Sequence, residues 1–117
     1  MADVQDYSNI IVEKLSLTQQ EAFDSLDRLA KLYYALIPVE REKMALGLAN
    51  AIGRLKEAPY VMADAIHLAY HLELFTDAMD TAILGAVSER LLNETTVGKE
   101  CANYTAYHPN GAFLLAH

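Results

Sequence analysis

The stretch ADAIHLAYHLE, residues 63–73, carries the side chains best suited to chemistry. Asp64, His67 and His71 recur at steps of three and four, which places them on one stripe of a helix. Two histidines a helical turn apart can share a metal ion, with a carboxylate one turn away as a third ligand. The same set can also relay protons. Yet metal centres in helical bundles usually draw ligands from two or more helices. The zinc-protease pattern also puts glutamate directly after its first histidine, and here Leu68 follows His67. A half-exposed stripe is the simpler account: Asp64 pairs with His67, His71 faces water and Tyr60 continues the line.

Other chemical candidates have structural explanations too. Glu21, Asp24 and Asp27 stand three apart, as do Asp77 and Asp80. Facing helices of magnesium-dependent nucleotide hydrolases use acidic pairs of this type. But Glu21 completes a capping box with Thr18, and Asp77 and Asp80 sit where a helix N-terminus favours acids. His108 follows Cys101 by seven residues, with nothing in the sequence to bring them together. A catalytic cysteine needs surroundings that lower its thiol pKa, so Cys101 reads as a bystander. The chain has no glycine-rich phosphate loop and no nucleophile elbow. No catalytic residue, metal or cofactor is expected.

The elements that must position these groups are helical. No stretch alternates with a period of two, so no strand is expected. The first helix spans about Val4 to Leu15. The second starts at Thr18, with Leu17 and Ala22 as a flanking staple, and runs to Ile37. Its apolar face is broad enough to predict burial on two sides. The third begins at Pro38, a residue tolerated in a first turn, and carries Met44, Leu48, Ala51, Ile52 and Leu55. Along it Ala45, Ala49 and Gly53 form a stripe of small residues that would admit a close neighbour helix. The fourth, Tyr60 to Phe75, carries the opening motif. The fifth begins at Thr76 and ends near Asn93, unless the fourth continues into it. The stretch ECANYTAYHPNGAFLLAH shows no helical period, and HPNG signals a turn.

Composition bounds the function. At 117 residues the chain has the length of one domain. A net charge of −7 with scattered Lys and Arg leaves no basic stripe for nucleic acid and favours basic partners. No apolar run approaches the roughly 20 residues that span a bilayer. The start has no signal pattern, and the lone Cys101 fits a reducing cytoplasm. Tyr33, Tyr34, Tyr60, Tyr70, Tyr104 and Tyr107 are many for a chain without tryptophan, and tyrosine suits interfaces.

The six residues DAIHLA, 64–69, resemble a short segment of the acidic DNA-mimic antirestriction proteins of podophages, which are small and helical. No functional residue is carried over. The resemblance implies only that a small phage-type inhibitor is worth weighing.

The sequence therefore predicts one all-α domain, 1–117. It is a compact bundle of four to five helices over 1–98, with an irregular C-terminal arm over 99–117. The function expected is non-enzymatic: a soluble cytoplasmic regulator that binds a protein partner. Contacts are expected along Ala45, Ala49 and Gly53. They are also expected on the arm, through Tyr104, Tyr107, Phe113, Leu114 and Leu115, which would join two or more copies unless it folds back. The competing reading is a metal- or acid–base-dependent helical enzyme using Asp64, His67 and His71.

Overall fold

The computed structural model describes residues 2–17, 19–88 and 95–111. Those residues form six helices and no strand: α1 Val4–Leu15, α2 Gln19–Ala35, α3 Pro38–Arg54, α4 Pro59–His71, α5 Asp77–Ser88 and α6 Thr95–Tyr107. Local chemistry starts and stops them. Asp3 and Asp6 cap α1 reciprocally, each side chain taking the other's backbone N–H at 2.8 and 3.0 Å. Pro38 and Pro59 open α3 and α4, where a missing N–H is harmless. Thr76 Oγ1 accepts the Met79 N–H at 3.1 Å and caps α5. The expected Thr18 cap lies outside the described residues.

The tightest seam joins α1 to α3. A Cβ added at Gly47 would lie 2.7 Å from Tyr7 Cβ and 3.0 Å from the Ser8 nitrogen, so only glycine lets the two backbones meet here. Polar bonds finish the seam on both sides. Tyr7 donates to Glu40 Oε2 at 2.7 Å, and Lys43 Nζ donates to Glu40 Oε1 at 3.2 Å. Fully buried Ser8 donates to Asn50 Oδ1 at 2.7 Å and accepts from Arg54 Nη1 at 2.9 Å. Contacts advance together along both helices, from Ala2 with Lys43 to Asn9 with Arg54, so α1 and α3 run in the same direction. The α4–α6 pair is also parallel: His67 meets Glu100, and Tyr70 meets Asn103 and Tyr107.

The core is built from Ile11, Leu15, Met44, Leu48, Ile52, Met62, Ile66, Leu68, Met79, Ile83, Val97 and Tyr104. The chain's Cα radius of gyration of 13.1 Å is that of a compact globule of this length.

Three expectations are corrected. The bundle has six helices among the described residues, because α6 runs from 95 to 107 and so takes in 99–107 of the arm expected to be irregular. Val97, Cys101 and Tyr104 are buried at steps of four and three, which is a helical period. Thr95, Thr96 and Gly98 disguise it, since β-branched residues and glycine favour helix poorly; packing overrides them. The HPNG turn does form after α6. Second, α2 is not buried on two sides. Among the described side chains of α2 only Ser25 and Leu29 are buried, while Ile37 beyond its end is 62 % exposed. Third, α4 stops at His71. Glu73 takes a left-handed φ of 57°, Glu73 N–H bonds Tyr70 O at 3.1 Å, and Leu74 N–H bonds Ala69 O at 2.9 Å. This is a Schellman stop with glutamate where glycine is usual.

The two glycines of α3 should respond oppositely. Gly47→Ala forces α1 away and should cost about 1–3 kcal/mol. Gly53→Ala meets nothing within 4 Å and should be neutral or add up to about 1 kcal/mol. Urea unfolding of both variants tests this, and equal effects would contradict the seam.

The alkaline limb of stability is also set here. The hydrogen bond to Glu40, with burial, pushes the Tyr7 hydroxyl from 10.0 up to about 12. The folded state therefore holds this proton more tightly. Its contribution is complete below the unfolded value and is lost as pH rises from about 10 to 12. Urea midpoints across that range should fall, and less steeply in Tyr7→Phe.

Candidate functional site

Three places gather the polar and exposed groups. The first is the α4–α6 face. His67 Nδ1 lies 2.8 Å from the Tyr70 hydroxyl and 3.2 Å from Glu100 Oε2. One nitrogen serves two partners, so its protonation selects between them: neutral Nδ1 accepts from Tyr70, whereas a protonated Nδ1 donates to Glu100. Asn103 Nδ2 donates to the Tyr70 oxygen at 3.4 Å. Burial, then Glu100, raises the Tyr70 pKa. Asp64 is held above the usual carboxylate range by burial; His67 opposes this and Glu100 adds to it. His71 stacks on His67 with ring centroids 6.0 Å apart. The predicted stripe thus exists, but His67 turns its Nδ1 to α6. Among the described residues no group of three or more His, Cys, Asp or Glu side chains is placed to hold a metal ion.

The second cluster ties α6 to α5. Asp80 Oδ1 accepts from the Tyr104 hydroxyl at 2.6 Å and lies 2.9 Å from His108 Nε2. The Asn110 backbone N–H donates to His108 Nδ1 at 2.8 Å. Nδ1 is therefore the acceptor, and the proton sits on Nε2 facing Asp80. Burial, then Asp80, raises the Tyr104 pKa. Sequence reasoning assigned Tyr104 to an exposed contact; at 0 % exposure it is core. The signal missed was its spacing from Val97 and Cys101. Cys101 is buried, its thiol pushed up to about 11 by burial and then Glu100, which fits an inert bystander.

The third place is an open apolar groove of about 630 Å³ between the α2–α3 turn and the start of α5. Tyr33, Ala45, Leu46, Leu74 and Ala78 form its walls, with Arg41 at the edge. Arg41 is fixed by donating to the Tyr33 and Tyr34 carbonyls at 3.1 and 2.7 Å, and its guanidinium lies 5.5 Å from the Tyr33 ring centre. Pro38 also lines it, and its chain neighbours Ile37 and Val39 are exposed.

The small-residue stripe divides. Ala45 is buried at the groove wall and Ala49 is buried. Gly53 lines a separate cleft of about 210 Å³ with Ala82 and Gly85 of α5. Open space lies beside the stripe on its α5 side, with nothing within 4 Å of a Cβ added at Gly53, and Gly47 on the opposite side makes the close approach to α1. Tyr107 is 67 % exposed and stacks on Tyr70. Phe113, Leu114 and Leu115 lie outside the described residues.

No protein-family model, curated protein or solved structure matches this chain.

The two aspartates should behave differently on neutralisation. Asp64 has a raised pKa, so its charged form opposes folding above the unfolded value, and Asp64→Asn should raise the melting temperature at neutral pH. Asp80→Ala leaves Tyr104 and His108 without their acceptor and should cost roughly 1–3 kcal/mol. Thermal melts at neutral pH check both.

Proposed function

We propose that this chain is a non-enzymatic regulatory module that acts by binding a protein partner. The observation that carries the reading is the groove beside the end of α2. Leu46 stays exposed on its wall, and Tyr34, Ile37 and Val39 stay exposed along the adjoining end of α2 and start of α3. Concentrated exposed apolar surface of this kind marks contact sites. The occupant it suits is an amphipathic segment that inserts large apolar side chains between α2 and α5 and leaves its polar face to Arg41, Glu42 and Asp77 at the rim. Occluding an enzyme's surface is one form such binding takes, and it is the form implied by the short phage-type resemblance. A cytoplasmic location belongs to the proposal and rests on the free, buried Cys101. Direct nucleic-acid binding is not part of it, given a net charge of −7.

Self-association is the second element of the proposal. Exposed Tyr107 and the apolar residues Phe113, Leu114 and Leu115 put a candidate contact between copies at the C-terminal end. Tyr104 is withdrawn from that interface because the core already uses it.

The competing enzymatic reading keeps one favourable observation. His67 edges a cleft of about 220 Å³ between α2 and α4, and a carboxylate backs it through Nδ1. That pairing supports proton transfer by His67 and Glu100 rather than by the Asp64–His67–His71 stripe.

Leu46→Glu places a charge at the groove wall without touching the core. Co-purification should recover a partner with the parent chain and lose it with Leu46→Glu, and the purified pair should re-form only with the parent. Equal recovery by both chains would remove the groove from the function. Light scattering of the parent should give at least the dimer mass; a monomer mass contradicts self-association.

A further inference from the structure

A smaller cavity lies at the C-terminal end of α4, where its Schellman turn meets the end of α6. It measures about 270 Å³ and is lined by Tyr70, His71, Glu73, Phe75 and Tyr107. Three of these five residues are aromatic, and one is a carboxylate. The Tyr70 and Tyr107 rings are parallel to within 4° at 5.4 Å, while Tyr107 remains 67 % exposed. Tyr107 therefore presents a flat ring held in place from behind. Phe75 is fixed by the Tyr104 and His108 rings at 5.3 and 4.9 Å. Glu73 sits in the left-handed region at φ 57°, where glycine is strongly preferred. Stability alone would favour glycine there, yet the position holds a glutamate, and that residue lines the cavity.

We propose that this cavity binds the arginine side chain of a partner protein, with the guanidinium stacked on Tyr107 and paired to Glu73. The chemistry is complementary in three respects. Aromatic faces attract cations, and the planar guanidinium stacks on a ring. A carboxylate accepts two parallel N–H bonds from the same group. The chain's net charge of −7 draws basic partners towards it. Lysine fits less well, because an ammonium is compact, strongly hydrated and unable to stack as a plane. The inference rests on the protein-binding reading and names a chemical feature of the partner.

The probe is a capped pentapeptide of four glycines around one central arginine, titrated into the full chain by NMR. A single-residue contact should give a dissociation constant on the order of 1 mM, with shifts at the Tyr107 and Phe75 rings. The same peptide with neutral citrulline should not bind, and the lysine peptide should bind several-fold more weakly. Glu73→Gly should melt higher than the parent, because it relieves the left-handed turn, yet bind roughly tenfold more weakly or less. Tyr107→Ala should lose binding and Tyr107→Phe should retain it. No binding, equal binding of the citrulline or lysine peptide, or binding unaffected in both Glu73→Gly and Tyr107→Ala would overturn the proposal. Loss of the arginine site with partner capture still sensitive to Leu46→Glu removes this inference alone. Capture insensitive to Leu46→Glu instead removes the groove reading and leaves the peptide result standing.

Discussion

The backbone contact between α1 and α3 at Gly47 is the constraint on which the rest of the structure depends. With no side chain at that position, Tyr7 Cβ and the Ser8 nitrogen come to rest against the helix backbone. The approach aligns Tyr7 with Glu40 and Ser8 with Asn50 and Arg54. It also turns Met44, Leu48 and Ile52 of α3 inward, with α4 packed against the same core. Burying a serine hydroxyl and a phenol without partners would be costly. Here each has one, and no buried side-chain nitrogen or oxygen lacks a hydrogen bond among the described residues. A tight seam with satisfied polar groups specifies one register, which a purely apolar contact specifies less well.

The second half of the chain is secured differently. Here α6 is a weak helix by composition and is held by what it reaches. Asp80 gathers Tyr104 and His108, and Glu100 gathers His67 with Tyr70 nearby. The Asp80 group is largely covered, where paired polar groups rigidify and unpaired ones are expensive, whereas the Glu100 group is partly open through His67. His67, one of the two histidines that first suggested catalysis, thus has partners inside the fold, while exposed His71 stacks on its ring. Apolar surface left outside these seams is concentrated at the α2–α3 turn, and aromatic surface at the junction of α4 and α6. The proposed contacts are at those two ends.

Much of this was readable in the sequence, for physical reasons. Pro38 announced a helix start, Thr76 announced a cap, and α1 was bounded correctly by its apolar spacing. The all-helical class followed from the absence of any period-two run. What escaped was carried by weaker codes. The helix α6 has its period in valine, cysteine and tyrosine instead of leucine, behind Thr95, Thr96 and Gly98. The stop after His71 uses glutamate in a glycine's place, so no punctuation marks it. The close helix approach was expected at the Ala45–Ala49–Gly53 stripe, because nothing marks Gly47 as the contact until α1 is placed. The Asp64–His67–His71 spacing correctly put three groups on one stripe. It could not reveal Glu100, 33 positions from His67, because only folding brings α6 alongside.

Native-state hydrogen exchange of the free chain tests most directly the claim that a rigid α1–α3–α4 core carries a loosely covered α2. Amides of buried seams open only with large free energies, while those near sparse contacts open locally. The account predicts slowest exchange around Ile11, Leu48, Ile52 and Ile66, and clearly faster exchange over residues 30–35 at the end of α2. Protection at the end of α2 equal to that of α1 and α3 would mean that α2 is part of the core. It would contradict the view that the groove beside it is open for a partner.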